Sequence, residues 1–145
     1  MSDRFERGAG SASYEVAGDG IVCASLGGLV VQANAGALSA LLLQAASELG
    51  ATGVLGSVQK ALIALPPIDP AHYSYVPPAL RAVPVAVVVT PEQAGVYEGI
   101  ARAAALSGAM RRAFLSRDEA QAWLCEQVRA LVANRVWRPV HRPAP

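Results

Sequence analysis

The segment from residue 83 to residue 131 constrains the fold most, because it reads as strand, helix, strand, helix. It opens with the apolar, β-branched run Val83-Pro-Val-Ala-Val-Val-Val89, which is typical of a strand covered on both faces in a parallel sheet. The shorter segment 110–115 predicts a second strand. Strands that alternate with helices in this way predict an α/β domain.

Each of the two helices begins with a capping sequence. Thr90-Pro-Glu-Gln93 supplies a side-chain acceptor, a proline at the first helical position and a glutamine that can close a capping box. Ser116-Arg-Asp-Glu119 is a second capping box. The helix after it carries one apolar face, formed by Ala120, Trp123, Leu124, Val128 and Leu131.

The first half of the chain predicts a hairpin and a helix. Residues 13–17 and 21–26 read as two strands joined at Gly18-Asp-Gly20, because Asp-Gly is a strong hairpin signal. Residues 1–11 before them predict a flexible lead. A helix is expected from Asn34, as its N-cap, to Leu49, with Gly50 as the stop.

The remaining segments complete an α/β domain over residues 12–133. Residues 60–65 predict the central strand, and the expected order is β-β-α-β-α-β-α. We therefore predict a central mixed sheet of about five strands with flanking helices. Residues 134–145 contain three prolines and predict an extended, arginine-rich tail.

Composition excludes several classes of function. Of the 145 residues, 53% are apolar and 16% charged, with a net charge of +1, so the chain predicts a globular protein without a field that attracts nucleic acid or an anionic membrane. The N-terminus carries no apolar signal core, and no apolar run is long enough to span a membrane, so a cytoplasmic protein is expected. The low charge favours a homo-oligomer or a partner protein.

Metal and cofactor motifs give little support to an enzyme. The two cysteines, Cys23 and Cys125, and the two histidines share no ligand spacing, so no metal is predicted. Gly50-Ala-Thr-Gly-Val-Leu-Gly56 matches the glycine spacing of some dinucleotide-binding loops. Because a helix precedes it and a strand follows, a helix-to-strand loop with glycines at positive φ is favoured, and no cofactor is predicted.

A proline-bounded loop after the central strand is the predicted ligand site. Asp69, His72, Tyr73 and Tyr75 lie in this 66–78 loop, at the carboxyl edge where open α/β sheets bind ligands. Thr90 and Gln93 are expected to line the same edge. The alternative is a surface loop whose tyrosines pack on the sheet. A small enzyme with His72 as general base is a further, weaker alternative.

The C-terminal tail is the predicted partner-binding segment. Trp137 lies among prolines and arginines, with Arg135 and Arg138 beside it. An aromatic residue in such a tail is typical of docking on the same domain or on a neighbouring subunit. A solvated basic tail is the alternative reading.

The segment 83–124 resembles one known family. Its most specific part, Arg112-Ala-Phe followed by Asp118-Glu-Ala-Gln-Ala-Trp-Leu124, is similar to the SpoIIAA-like group of bacterial proteins, which share the STAS fold of anti-sigma-factor antagonists. The resemblance implies a small non-enzymatic domain that binds a partner protein or a small apolar or anionic ligand. It also implies a phosphorylated serine in an Asp-Ser-Ser/Thr-Gly motif, which Pro66-Pro-Ile-Asp-Pro70 replaces here, so no phosphorylation site is assigned.

These observations favour a non-enzymatic binding or regulatory module. Protein contacts, with self-association as a homodimer or with a regulatory partner, are the first prediction. A small-molecule pocket at the 66–78 loop, for an apolar or anionic ligand, is the alternative. Neither nucleic acid nor a membrane is expected as a partner.

Overall fold

The computed structural model describes residues 2–17, 19–65 and 76–137, with side chains as far as residue 133. The strands are β1 (Ser2–Arg7), β2 (Gly10–Val16), β3 (Ile21–Val31), β4 (Gly53–Ser57), β5 (Ala61–Ala64), β6 (Val85–Val88) and β7 (Arg111–Phe114). The helices are α1 (Gln32–Glu48), α2 (Pro91–Leu106) and α3 (Arg117–Trp137), with a short 3-10 helix at Pro78–Leu80.

The strands form one mixed sheet in the order β1-β2-β3-β4-β6-β7. β1, β2 and β3 are antiparallel, and the remaining pairs are parallel. The long strand β3 pairs with β4 through residues 21–25 and with β5 through residues 28–31. The α/β class and the mixed sheet are confirmed, but seven strands replace the expected five and their order along the chain differs.

Helices cover both faces of the parallel part of the sheet. α1 and α2 pack on one face, where Leu43 and Ala104 join Val85 in one core cluster. α3 packs on the other face, where Leu124 joins Leu55 and Ala86. Neighbouring residues of β6 thus face opposite cores, which explains why the whole run from residue 83 to residue 89 is apolar.

The flexible lead predicted for residues 1–11 is wrong for the residues that the structure describes. Ser2–Arg7 pairs along β2 in regular antiparallel register. Phe5 stacks on Tyr14, with 6.1 Å between ring centroids. The strand is mostly polar because it lies at the sheet edge, where main-chain pairing holds it and little apolar surface is buried.

The glycine-containing segment 50–56 contributes to a strand that was not predicted from the sequence. Gly53–Ser57 is β4, between β3 and β6 in the sheet, whereas the predicted central strand at 60–65 is β5, which pairs with β3 off the main path. Gly50 has the expected positive φ of +65°. A Cβ on Gly53 would lie 3.1 Å from Leu124 Cδ1, so glycine there allows α3 to pack closely against the sheet.

Two helix boundaries differ from the prediction. α1 begins at Gln32 rather than after Asn34. The Asn34 side chain accepts from the Val31 N–H at 2.9 Å and donates to the carbonyls of Arg7 and Leu29 at 3.0 Å, so it connects the start of the helix to β1 and β3. α3 continues to Trp137, so residues 134–137 are helical rather than extended.

Candidate functional site

A cavity of about 80 Å³ lies between the sheet and helices α1 and α2. Its wall is largely aliphatic and includes Leu26, Leu42, Leu43, Val54, Val85 and Val87. The hydroxyls of Ser25 in β3 and Ser57 in β4 border it. So do three polar side chains on other elements, Ser39 of α1, Tyr97 of α2 and Arg111 of β7. A smaller cavity of about 30 Å³ shares these three residues. We call the two together the Arg111 cavity.

The alternation of β7 places Arg111 on the side of this cavity. Phe114 packs with α3, 5.6 Å from the Trp123 ring. The Arg112 guanidinium lies over the Phe114 ring, 5.1 Å from its centroid. Because successive side chains of a strand point to opposite faces, Arg111 lies on the other face, between β7 and α2.

One donor of the Arg111 guanidinium has no partner among the described residues. Its Nε atom is fully buried and has no hydrogen-bond partner in the part of the chain that the structure describes. Burial lowers the pKa of the Arg111 guanidinium, and the neighbouring Tyr97 acts in the opposite direction. A buried charge normally requires a partner that satisfies its hydrogen bonds, so Arg111 leaves one donor available to the cavity.

Tyr97 supplies a neutral hydroxyl beside the guanidinium. Burial raises the pKa of Tyr97 to about 12, and the Coulombic effect of Arg111 lowers it by a smaller amount. The phenol therefore keeps its proton at physiological pH and can donate or accept a hydrogen bond.

Replacing Tyr97 by phenylalanine is expected to make the protein less sensitive to alkaline pH. Between about pH 10 and about pH 12, the unfolded tyrosine loses its proton while the buried one keeps it, so stability falls by up to about 1.4 kcal/mol per pH unit in the wild type. Tyr97→Phe lacks this loss. Urea titrations at pH 7, 10 and 11 measure it, and equal declines for both proteins would contradict the assignment.

Thr90 and Gln93, two of the predicted ligand residues, form hydrogen bonds within the fold. Gln93 N–H donates to Thr90 Oγ1 at 3.3 Å, and Thr90 N–H donates to Gln93 Oε1 at 3.0 Å, which confirms the predicted capping box. Gln93 Nε2 also donates to the carbonyls of Val58 and Ala61, at 2.9 and 3.1 Å. The Gln93 amide therefore links α2 to the connection between β4 and β5.

Most of the other predicted site residues fall beyond the described side chains. Asp69, His72, Tyr73, Tyr75 and Arg138 lie outside the described residues. Arg135 and Trp137 lie in the last turn of α3, beyond the last described side chain. Of the predicted ligand residues, the structure thus brings together Thr90 and Gln93.

The Arg111 cavity was not predicted from the sequence. One signal for it was present, because Arg111 and Arg112 are adjacent in a strand and adjacent strand residues face opposite sides. Because α2 and α3 cover opposite faces of the sheet, one of two neighbouring arginines has to lie on the α2 side. The smaller cavity also borders Leu65, which directly precedes the 66–78 loop.

The described part of the chain contains neither a metal-ligand cluster nor a membrane-spanning helix. No group of three or more His, Cys, Asp or Glu side chains there is arranged to hold a metal ion. None of the helices in residues 2–17, 19–65 and 76–137 combines the length and apolar character needed to cross a bilayer.

Comparison with known proteins finds a likeness among solved structures. No protein-family model matches the sequence, and no curated protein matches it. A similar solved structure is the crystal structure of an anti-sigma factor antagonist from Mycobacterium paratuberculosis, with 14% sequence identity and a TM-score of 0.49. The match covers 78% of this chain and 93% of that chain.

Proposed function

We propose that this protein is a non-enzymatic regulatory module that binds a small molecule in the Arg111 cavity. The observation that carries the proposal is an aliphatic cavity of about 80 Å³ bordered by the half-buried Arg111, whose Nε is buried and has no partner among the described residues. Protein interiors are normally close-packed. An apolar pocket with a few convergent polar groups is the usual form of a small-molecule site.

The chemistry of the lining supports binding rather than catalysis. The described residues around both cavities include hydroxyl groups and one guanidinium, but no carboxylate, imidazole or thiol. A hydroxyl nucleophile needs an adjacent base to lose its proton, and an arginine keeps its own proton. The described groups can therefore hold and orient a molecule, but they supply no general base.

Native mass spectrometry of protein purified gently from its own cells tests this function. We expect a reproducible additional mass on the wild type. Ala24 borders the cavity, so Ala24→Ile should fill part of it and yield the bare mass. Cys23→Val is the matched control on the other face of β3, and it should keep the ligand. A bare wild type, with no thermal shift across a small-molecule panel, would contradict the proposal.

Self-association is a second candidate, favoured by an exposed leucine at the sheet edge. Leu62 of β5 is 69% exposed and Val96 of α2 is 40% exposed, and both border a groove of about 290 Å³. β5 pairs with β3 alone among the described strands, and an unpaired strand edge can add a strand from a second copy. We expect a dimer in analytical ultracentrifugation that Leu62→Lys disrupts. A monomeric wild type would exclude this candidate.

A further inference from the structure

We propose that the ligand of the Arg111 cavity is a small monocarboxylate with a short aliphatic chain, and this inference rests on the proposed function. The carboxylate would lie on Arg111, with the chain along the leucine and valine wall. The described residues give Arg111 Nε no hydrogen-bond partner, so packing alone does not account for an arginine at this position.

The donors at the cavity match a planar anion. A guanidinium presents its N–H groups as a rigid fork, and it binds a carboxylate with two parallel hydrogen bonds. Arg111 Nε is buried without a partner among the described residues, so one prong of the fork is open. The hydroxyls of Ser39 and Tyr97 border the same space and can donate to a second oxygen.

The charge at the site selects a monoanion. Arg111 is the one cationic side chain among the described residues that line the two cavities. A single guanidinium balances one negative charge in a poorly solvated site, whereas a phosphate dianion would leave a second charge buried and unpaired. Phosphate sites in proteins also use several main-chain N–H groups at a helix N-terminus. The N-terminus of α2 is instead closed by Thr90 and Gln93.

The dimensions and the wall favour a short chain. A cavity of 150 Å³ is large enough for benzene, so the cavities of about 80 and 30 Å³ suit a chain of about three to five carbons. The aliphatic side chains of α1, β4 and β6 would bury such a chain, at roughly 0.8 kcal/mol for each CH₂. A polar metabolite of the same size would lose its hydrogen bonds to water against this wall.

Calorimetric titration with matched probes tests the ligand class. Sodium propionate, butyrate and valerate would be compared with 1-butanol, butyramide and butylamine at constant ionic strength. We expect the carboxylates to bind the wild type and the neutral and cationic probes to bind at least about tenfold more weakly. Arg111→Met should weaken carboxylate binding on the order of a hundredfold. Arg112→Met, which removes the same charge from the opposite face of β7, should leave it unchanged.

The outcomes separate this inference from the proposed function. Equal binding of butanol and butyrate, in both the wild type and Arg111→Met, would overturn the carboxylate inference while a ligand-binding cavity remained. Failure of every probe to bind would overturn the inference, and the mass of the native ligand would then decide the proposed function separately. If Arg111→Met does not fold, Arg111→Lys keeps the charge without the fork, and about tenfold weaker carboxylate binding is expected.

Discussion

The Arg111→Met variant of the ligand-free protein is expected to be more stable than the wild type, by about 1–3 kcal/mol in the free energy of unfolding. Arg111 Nε is buried without a partner among the described residues, so folding removes part of the guanidinium from water without a compensating hydrogen bond. Methionine has a similar length, carries no charge and adapts to irregular spaces. The substitution therefore removes a desolvation cost and keeps the packing against α2.

Urea denaturation at pH 7 measures this effect on protein refolded from denaturant, which removes any bound ligand. Arg112→Met is the matched control, because its guanidinium lies over the Phe114 ring on the other side of β7. We expect that variant to lose up to about 1 kcal/mol, the value of an exposed cation–π contact. A clear destabilisation by Arg111→Met would show that the guanidinium contributes to the fold, and it would contradict an unfavourable burial of Arg111 in the free protein.

A gain in stability on losing Arg111 would also bear on function. Residues that cost stability persist at sites where binding or catalysis requires them. If the same variant is more stable and no longer binds a carboxylate, stability and binding are opposed at one side chain. That combination is difficult to explain by a purely structural role, because replacing a structural residue would lower stability and binding together.

The parts of the fold that were predicted from the sequence are those fixed by local physics. The run from residue 83 to residue 89 has to be buried on both faces, and the side chain of Thr90 caps the helix after it without help from distant residues. β1 and β4 were missed for a different reason. β1 is polar and is held by pairing with β2, and β4 is rich in glycine because α3 packs closely on Gly53. Both depend on partners far away in the chain.

The site was less predictable than the fold, because it depends on which face a side chain occupies. Loop residues such as His72 attract attention because their chemistry is visible in the sequence. Arg111 attracts less attention, because arginine side chains are mostly exposed. The Arg111 side chain lies on the α2 side of β7, because Phe114, three residues later, packs with α3 on the opposite side. Gln93 likewise suggested a ligand contact, and its hydrogen bonds to the connection between β4 and β5 emerge from the tertiary structure.

Replacing Gln93 by alanine is expected to lower the free energy of unfolding by about 2–4 kcal/mol. The change leaves three main-chain groups without this partner, namely the N–H of Thr90 and the carbonyls of Val58 and Ala61. Gln93 is buried, so water cannot readily replace the amide. Thermal and urea unfolding of the two proteins at pH 7 provide the measurement.

Gln93→Glu separates this structural role from a role in ligand binding. Its carboxylate can still accept from Thr90 N–H, but at pH 7 it places a negative charge against the carbonyls of Val58 and Ala61. We therefore expect destabilisation at pH 7 that is partly relieved in acid, where a protonated glutamic acid can donate again. If both variants unfold within about 0.5 kcal/mol of the wild type but change the affinity for a ligand, Gln93 is a ligand residue, as its position in the sequence first indicated. If both variants lose stability as expected, and only Ala24→Ile abolishes the additional mass of the ligand, the ligand lies in the Arg111 cavity. Gln93 then stabilises the fold and does not bind the ligand.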